Sequence, residues 1–218
     1  MNWNDLKGTL YDLLGYFAPG VIAIISGCVA ISRLNEEISL ETMKNFSGLE
    51  VFFLIVLAYI LGHAIATLSS WIIEKQLMNK NNKLRTIIDT KEILGDEHYV
   101  TLCKKYKRIF NAQYTQKDIR KIICYVQSKQ PSVYETAQIF LAFYGMARNL
   151  ALAFAFFSLV EIGLLLGLCG IGKVYIWLIY GVLCVVFLFE YIKFRKYFTD
   201  TILSGFLIPE KDDYKEDK

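Results

Sequence analysis

The chain has 218 residues, 55% of them hydrophobic and 21% charged, with a net charge of +3. That charge is too small to argue for nucleic-acid binding by bulk electrostatics. Two histidines and five cysteines, none in a C-x-x-C spacing, leave no zinc-site or other metal-site pattern. Cys28, Cys103, Cys124, Cys169 and Cys184 read as free thiols, three of them in apolar runs where a thiol behaves as a small hydrophobe. Mean hydropathy is +0.36. The charges gather in a central block and at the C-terminus, and that unevenness is the pattern of a bilayer protein.

A helix needs roughly 20 mostly apolar residues to cross a bilayer core. Leu13 to Ser32, uncharged between Asp12 and Arg33, predicts the first span. Pro19 and Gly20 near its start predict a kink or a re-entrant beginning, with the preceding turn along the surface. Ile25-Ser26-Gly27-Cys28 matches a bacterial lipobox, but Asp5 and Asp12 outnumber Lys7 where a leader needs positive charge, so the segment is read as a retained span. Val51 to Ile73 predicts the second span, interrupted only by His63. Asn149 to Gly172, interrupted by Glu161, predicts the third. Val174 to Phe189, extended through Tyr191 and Ile192, predicts a short fourth span in which Glu190 must snorkel. Trp71, Tyr175 and Trp177 near span ends fit the headgroup preference of amphipathic rings.

The expected fold is an all-α integral membrane protein of four transmembrane helices with a small helical cytoplasmic segment between spans two and three. Residues 1–73 hold an N-terminal surface helix and two spans; 74–135 form the basic helical segment; 136–192 hold a lead-in helix and two spans; 193–218 form an amphipathic, then disordered, tail. Within the central segment Asp96 is expected to cap a helix running to about Phe110. Thr115 and Asp118 make a capping-box-like start for Gln116 to Lys129, and Pro131 opens the next helix. Residues 191–208 are expected to lie on the inner leaflet through Phe194, Tyr197, Phe198, Ile202, Leu203 and Phe206. Residues 74–148 carry 14 Lys and Arg, against Arg33 and Lys44 in the first loop and Lys173 in the third. The positive-inside rule puts that segment and both termini in the cytoplasm of a bacterial inner membrane.

Polar groups inside the spans are costly and normally face a partner or water. Tyr59, His63, Thr67, Ser70 and Glu74 recur at helical spacing on one face of span two. An adjacent face carries Ala58, Gly62 and Ala66, a small-residue run that allows close helix contact; Gly163 and Gly167 repeat the pattern on span three and point to a homo-oligomer. His63 and Glu161 fall near the middle of their runs and are expected to meet as a hydrogen-bonded pair. On the cytoplasmic segment Lys104, Lys105, Lys107 and Arg108 form the densest basic patch, facing anionic headgroups or, as an alternative, RNA or an acidic protein partner.

No Walker loop, G-x-S-x-G, H-E-x-x-H or R-x4-6-H pattern occurs, so the chain is expected to be non-enzymatic and without a cofactor. Three stretches carry a resemblance: Gly15-Tyr16-Phe17-Ala18-Pro19-Gly20; Gly62-His63 with Ser69-Ser70 and Glu74; and Tyr144 with Arg148-Asn149-Leu150-Ala151-Leu152-Ala153-Phe154. Together the sequence resembles small four-span bacterial membrane proteins of antiviral defence loci, the accessory membrane proteins of type VI-B CRISPR systems being the nearest named group. The resemblance implies an oligomeric pore in antiphage defence. The divergent ribonuclease-like motif that some of those proteins carry is not matched here. The expected function is an inner-membrane accessory or effector protein that oligomerises and perturbs or permeabilises the membrane. The alternatives are a small transporter or channel subunit, or a membrane anchor for a cytoplasmic partner.

Overall fold

A computed structural model describes residues 12–34, 47–78, 89–167 and 174–209, and among these every regular element is helical. The expectations for the N-terminal surface turn, Cys169, Lys173 and the charged tail fall outside the described residues. A π-helical turn, Leu13–Phe17, leads into α1, Ala18–Leu34. Helix α2, Gly48–Ser69, passes into a second π-helical stretch, Ser70–Met78. Then follow α3, Thr90–Phe110; a 3-10 turn, Gln116–Asp118; α4, Ile119–Lys129; α5, Pro131–Gly167; and α6, Val174–Leu207. Four stretches are long and apolar enough to cross a membrane: Leu13–Ser32, Gly48–Lys75, Pro131–Leu166 and Val174–Leu207.

The chain divides into two units, residues 1–77 with 142–193, and residues 78–141 with 194–218. In the first unit α1 and α2 meet backbone to backbone. A Cβ on Gly20 would fall 1.7 Å from the Ala58 carbonyl oxygen, and one on Gly62 would fall 1.8 Å from that of Tyr16. Only glycine permits this approach. Ala58, Gly62, Ala66 and Ser69 form the buried line of α2, continued by Ile73 in the π-helical stretch, while Phe52, Phe53, Ile60 and Leu68 of α2 and Trp71 beyond it point outward. The small-residue run therefore packs within the chain, against α1, and is not presented to a second copy. Helix α5 meets α6 through aromatic rings: Phe154 lies 5.6 Å from Phe187 and 6.1 Å from Tyr180, in both cases near parallel.

Local signals explain the boundaries. Ser47 and Glu50 cap α2 reciprocally, the Ser47 amide donating to Glu50 Oε2 at 2.7 Å. Asp89 caps α3 by accepting from the Lys91 amide at 3.2 Å. Helix α3 thus starts earlier than expected from Asp96, but it breaks at Gly95 (φ 75°), so a new helical run does begin beside Asp96. Thr115 and Asp118 close a capping box, and Pro131 stands at the first position of α5. The lead-in helix and the third span are one continuous element.

The second unit has its own core: Leu102 and Tyr106 of α3, Ile122 and Val126 of α4, Ala137 of α5, and Ile202, Leu203 and Phe206 of α6, all fully buried. Each large apolar side chain here stabilises the unit by about 1.5–3 kcal/mol. This corrects the expectation that Ile202, Leu203 and Phe206 rest on the leaflet: they are covered by protein, because an amphipathic stripe fits a helical core as well as a bilayer surface, whereas Tyr197 of the same stripe stays exposed. A Cβ on Gly205 would fall 2.6 Å from Val133 Cγ1, so α6 sits tightly on α5 at this point.

Candidate functional site

The clearest polar arrangement in the first unit begins with a missing hydrogen-bond donor. In an α-helix the carbonyl of residue 15 would accept from the amide of residue 19, but position 19 is proline, which has no N–H. The turn widens to π-helical bonding, with the Ala18 amide donating to the Leu13 carbonyl. The Gly15 carbonyl accepts instead from Asn149 Nδ2 of α5 at 2.6 Å. Asn149 is 1% exposed. Its Oδ1 accepts from the hydroxyl of Ser69, which is fully buried on α2. One amide side chain thus ties together the residues before α1, the end of α2 and the middle of α5.

Arg148 extends the network. Its Nε donates to Ser69 Oγ at 3.0 Å and its Nη1 to Glu74 Oε1 at 2.7 Å. The same Oε1 accepts from the Tyr144 hydroxyl at 3.2 Å, and Oε2 accepts from the Ser70 hydroxyl at 3.3 Å. The guanidinium also lies 5.9 Å from the Tyr144 ring centre. The Arg148 and Glu74 side chains keep 12% and 27% of their exposure, so the pair is partly withdrawn from water. Ser70 and Glu74 lie in the second π-helical stretch, and Gly15 in the first. The arrangement neutralises two charges, satisfies a carbonyl that the helix cannot, and binds three helices at one end.

The other sequence-predicted residues sit elsewhere. The exposed His63 ring stacks on Tyr16 at 4.0 Å and meets the Tyr59 ring edge-on at 4.6 Å. Its neighbours are these two rings and not Glu161, so the expected pair is not formed. Glu161 is 2% exposed, placed by α5 toward protein. Thr67 donates to the His63 carbonyl of its own helix at 3.0 Å and faces outward. The expected single face of span two is thus divided: Tyr59, His63 and Thr67 lie outside the buried line, and only Ser70 and Glu74 join the network. Gly163 is exposed with no atom near its missing Cβ, and the surroundings of Gly167 lie outside the described residues.

The basic patch also divides. Lys104, Lys107 and Arg108 are exposed on α3, but Lys105 turns inward at 9% exposure. Its Nζ donates to the Ile208 carbonyl at 2.7 Å, just past the end of α6, and lies 5.7 Å from the Phe206 ring centre. A cation there offsets the partial negative charge of the helix end. Among the described residues no three His, Cys, Asp or Glu side chains gather where they could hold a metal ion.

The fold and the network define a class: an all-helical chain with four helices long and apolar enough to cross a membrane, three of them joined by a partly buried polar network. No protein-family model, curated protein or solved structure matches the chain.

Proposed function

We propose that the chain is a multi-pass protein of the bacterial inner membrane, with both termini and the unit of residues 78–141 and 194–209 in the cytoplasm, and that it acts without catalysis. It serves as an accessory or effector protein, in antiphage defence by the resemblance of its sequence, and perturbs the membrane when its spans rearrange. One observation carries this reading: a partly buried hydrogen-bond network runs from Gly15 through Asn149, Ser69 and Arg148 to Glu74, and in this proposal it acts as a latch. Away from water a hydrogen-bonded ion pair is strong when complete and costly when half-broken, which favours two discrete arrangements over gradual ones. Arg148 and Asn149 lie together on α5. The outward Phe, Leu, Ile and Val side chains of α2 and α6 suit lipid or a second copy.

Two experiments test this. Reporters fused at Lys218 and Asn111 are expected to read cytoplasm and one at Thr42 the outside; a periplasmic signal at Asn111 overturns the topology. Dye-loaded liposomes containing the full chain are expected to stay tight and to leak when Arg148→Ala or Glu74→Gln opens the latch. Inserted protein that leaks in neither state leaves the membrane-anchor reading. A constant ion-selective flux in both favours a transporter or channel subunit.

A further inference from the structure

The surface of α3 offers a second site, unrelated to the latch. Tyr99, Val100, Lys104, Lys107 and Tyr114 line an open groove of about 380 Å³. Its wall is mainly apolar, and Val100 is 52% exposed on a helix that is otherwise polar outside its core. Lys104 and Lys107 stand one turn apart on α3 and have no acidic partner among the described residues. Two like charges at that spacing repel, and an anion between them relieves the repulsion. Burial pushes the Tyr99 hydroxyl above its ordinary range, and a hydrogen bond with Cys103 adds to this. Burial likewise raises Tyr114, whose hydroxyl is 2.9 Å from Thr90 Oγ1.

We infer that this groove seats the phosphate headgroup of an anionic phospholipid, the phosphate between Lys104 and Lys107 and the glycerol end over Val100, Tyr99 and Tyr114. The pocket provides two cations at one point, where a nucleic acid would need a row of them along its backbone. The Tyr99 and Tyr114 rings stand 6.2 Å apart at 72°, which leaves no parallel pair to sandwich a base. An apolar wall with a cationic rim and tyrosine hydroxyls is the composition of a headgroup-level surface. The inference rests on the multi-pass reading of the chain, and it adds a specific lipid contact to a unit that the latch does not use.

The test uses the full chain in nanodiscs of mixed phosphatidylcholine and phosphatidylglycerol, with retained lipid counted by native mass spectrometry. Resistance to alkaline extraction from vesicles is scored on the same preparations. Wild type is expected to retain phosphatidylglycerol selectively. The double change Lys104→Gln, Lys107→Gln is expected to lower that preference roughly thirtyfold, the effect of two headgroup-level charges. Val100→Trp, which fills the groove and leaves the charge unchanged, is expected to abolish it. Lys117→Gln with Arg120→Gln removes equal charge from another face and is expected to have no effect. Equal retention by the groove variants, equal loss in the control, or displacement of the lipid by a soluble nucleotide overturns the inference. Failure of alkaline resistance in wild type instead overturns the membrane reading beneath it.

Discussion

Arg148 Nη1 and Glu74 Oε1 lie 2.7 Å apart although 74 positions separate the two residues in sequence. The contact joins α5 to the π-helical end of α2, and Tyr144 and Ser70 complete the coordination of the carboxylate. Removing one partner of a buried pair costs about 3–5 kcal/mol. Here Glu74 keeps 27% of its exposure, so water repays part of the loss. Arg148→Ala or Glu74→Gln is expected to destabilise the full chain in mild detergent by about 2 kcal/mol, and the double variant by less than the sum. Additive losses in thermal unfolding would show that the contact carries no coupling.

The close approaches of Gly20 to Ala58 and of Gly62 to Tyr16 make glycine obligatory at two positions, whereas on α5 it is optional at Gly163. Gly20→Ala and Gly62→Ala place a methyl group on a backbone oxygen, which only a shift of the helices can relieve. Each is expected to cost more than about 2 kcal/mol, at the upper end of overpacking effects. Gly163→Ala meets nothing within 4 Å and gains about 0.5–1 kcal/mol of helix propensity. A Gly62 variant as stable as wild type, measured by unfolding in detergent, would contradict the packing of these helices.

Much of the fold is legible in the sequence because span length and capping chemistry are local properties. Runs nearly free of charge locate the four long helices, and Thr115-x-x-Asp118 and Pro131 fix two boundaries. The capping box at Ser47 and Glu50 is equally local, an S-x-x-E spacing just before an apolar run, and was there to be read. The site is less legible. A regular period along span two selects Ser70 and groups it with His63, whereas the buried line ends with Ser69 and Ile73, and the π-helical stretch from Ser70 shifts the register beyond it. Ser69, Glu74, Tyr144, Arg148 and Asn149 stand out in the sequence as motif residues, but their pairing is tertiary and no spacing reveals it. Lys105 looks like its neighbours in a basic run. Only the end of α6 decides that it points inward.

Lys105 therefore has a different role from Lys104 and Lys107. Lys105→Met keeps the buried stem but leaves the Ile208 carbonyl without its cationic donor. The expected loss is about 1–2 kcal/mol in the second unit. Hydrogen exchange along α6 near Phe206 should quicken, while exchange near Phe154 stays unchanged. Uniform protection in the variant would mean that the contact contributes nothing.

Asp118 provides a pH signature. The Thr115 hydroxyl, with help from Lys121, holds its carboxyl down to about 2, below its ordinary 3.8. A depressed folded-state value means stability that is present above the unfolded value and is lost as pH falls through the folded one. Hydrogen exchange of the first turn of α4 should therefore quicken between about pH 4 and about pH 2. Asp118→Asn should remove this dependence and weaken the cap at neutral pH. An identical acid profile in the variant would place the titration elsewhere.

The last prediction isolates the reason Asn149 is buried. Its Nδ2 serves a carbonyl that Pro19 has deprived of its helical donor. Asn149→Leu leaves the Gly15 carbonyl without its donor, a loss of about 2–3 kcal/mol for a buried polar group left unmade, while the Ser69 hydroxyl keeps Arg148 and the Ala66 carbonyl. Pro19→Ala restores an amide at position 19, which lets the turn return to α-helical bonding and serve the Gly15 carbonyl from within α1. Pro19→Ala alone also removes buried ring carbons, so its own effect is a modest destabilisation. The diagnostic quantity is the coupling. In the Pro19→Ala background Asn149→Leu should cost at least about 1 kcal/mol less than in wild type. Thermal unfolding of the four proteins in one detergent measures it. An Asn149→Leu cost that is the same in both backgrounds would mean that the proline and the asparagine are independent, and that the carbonyl between them is not what holds α5 to the start of α1.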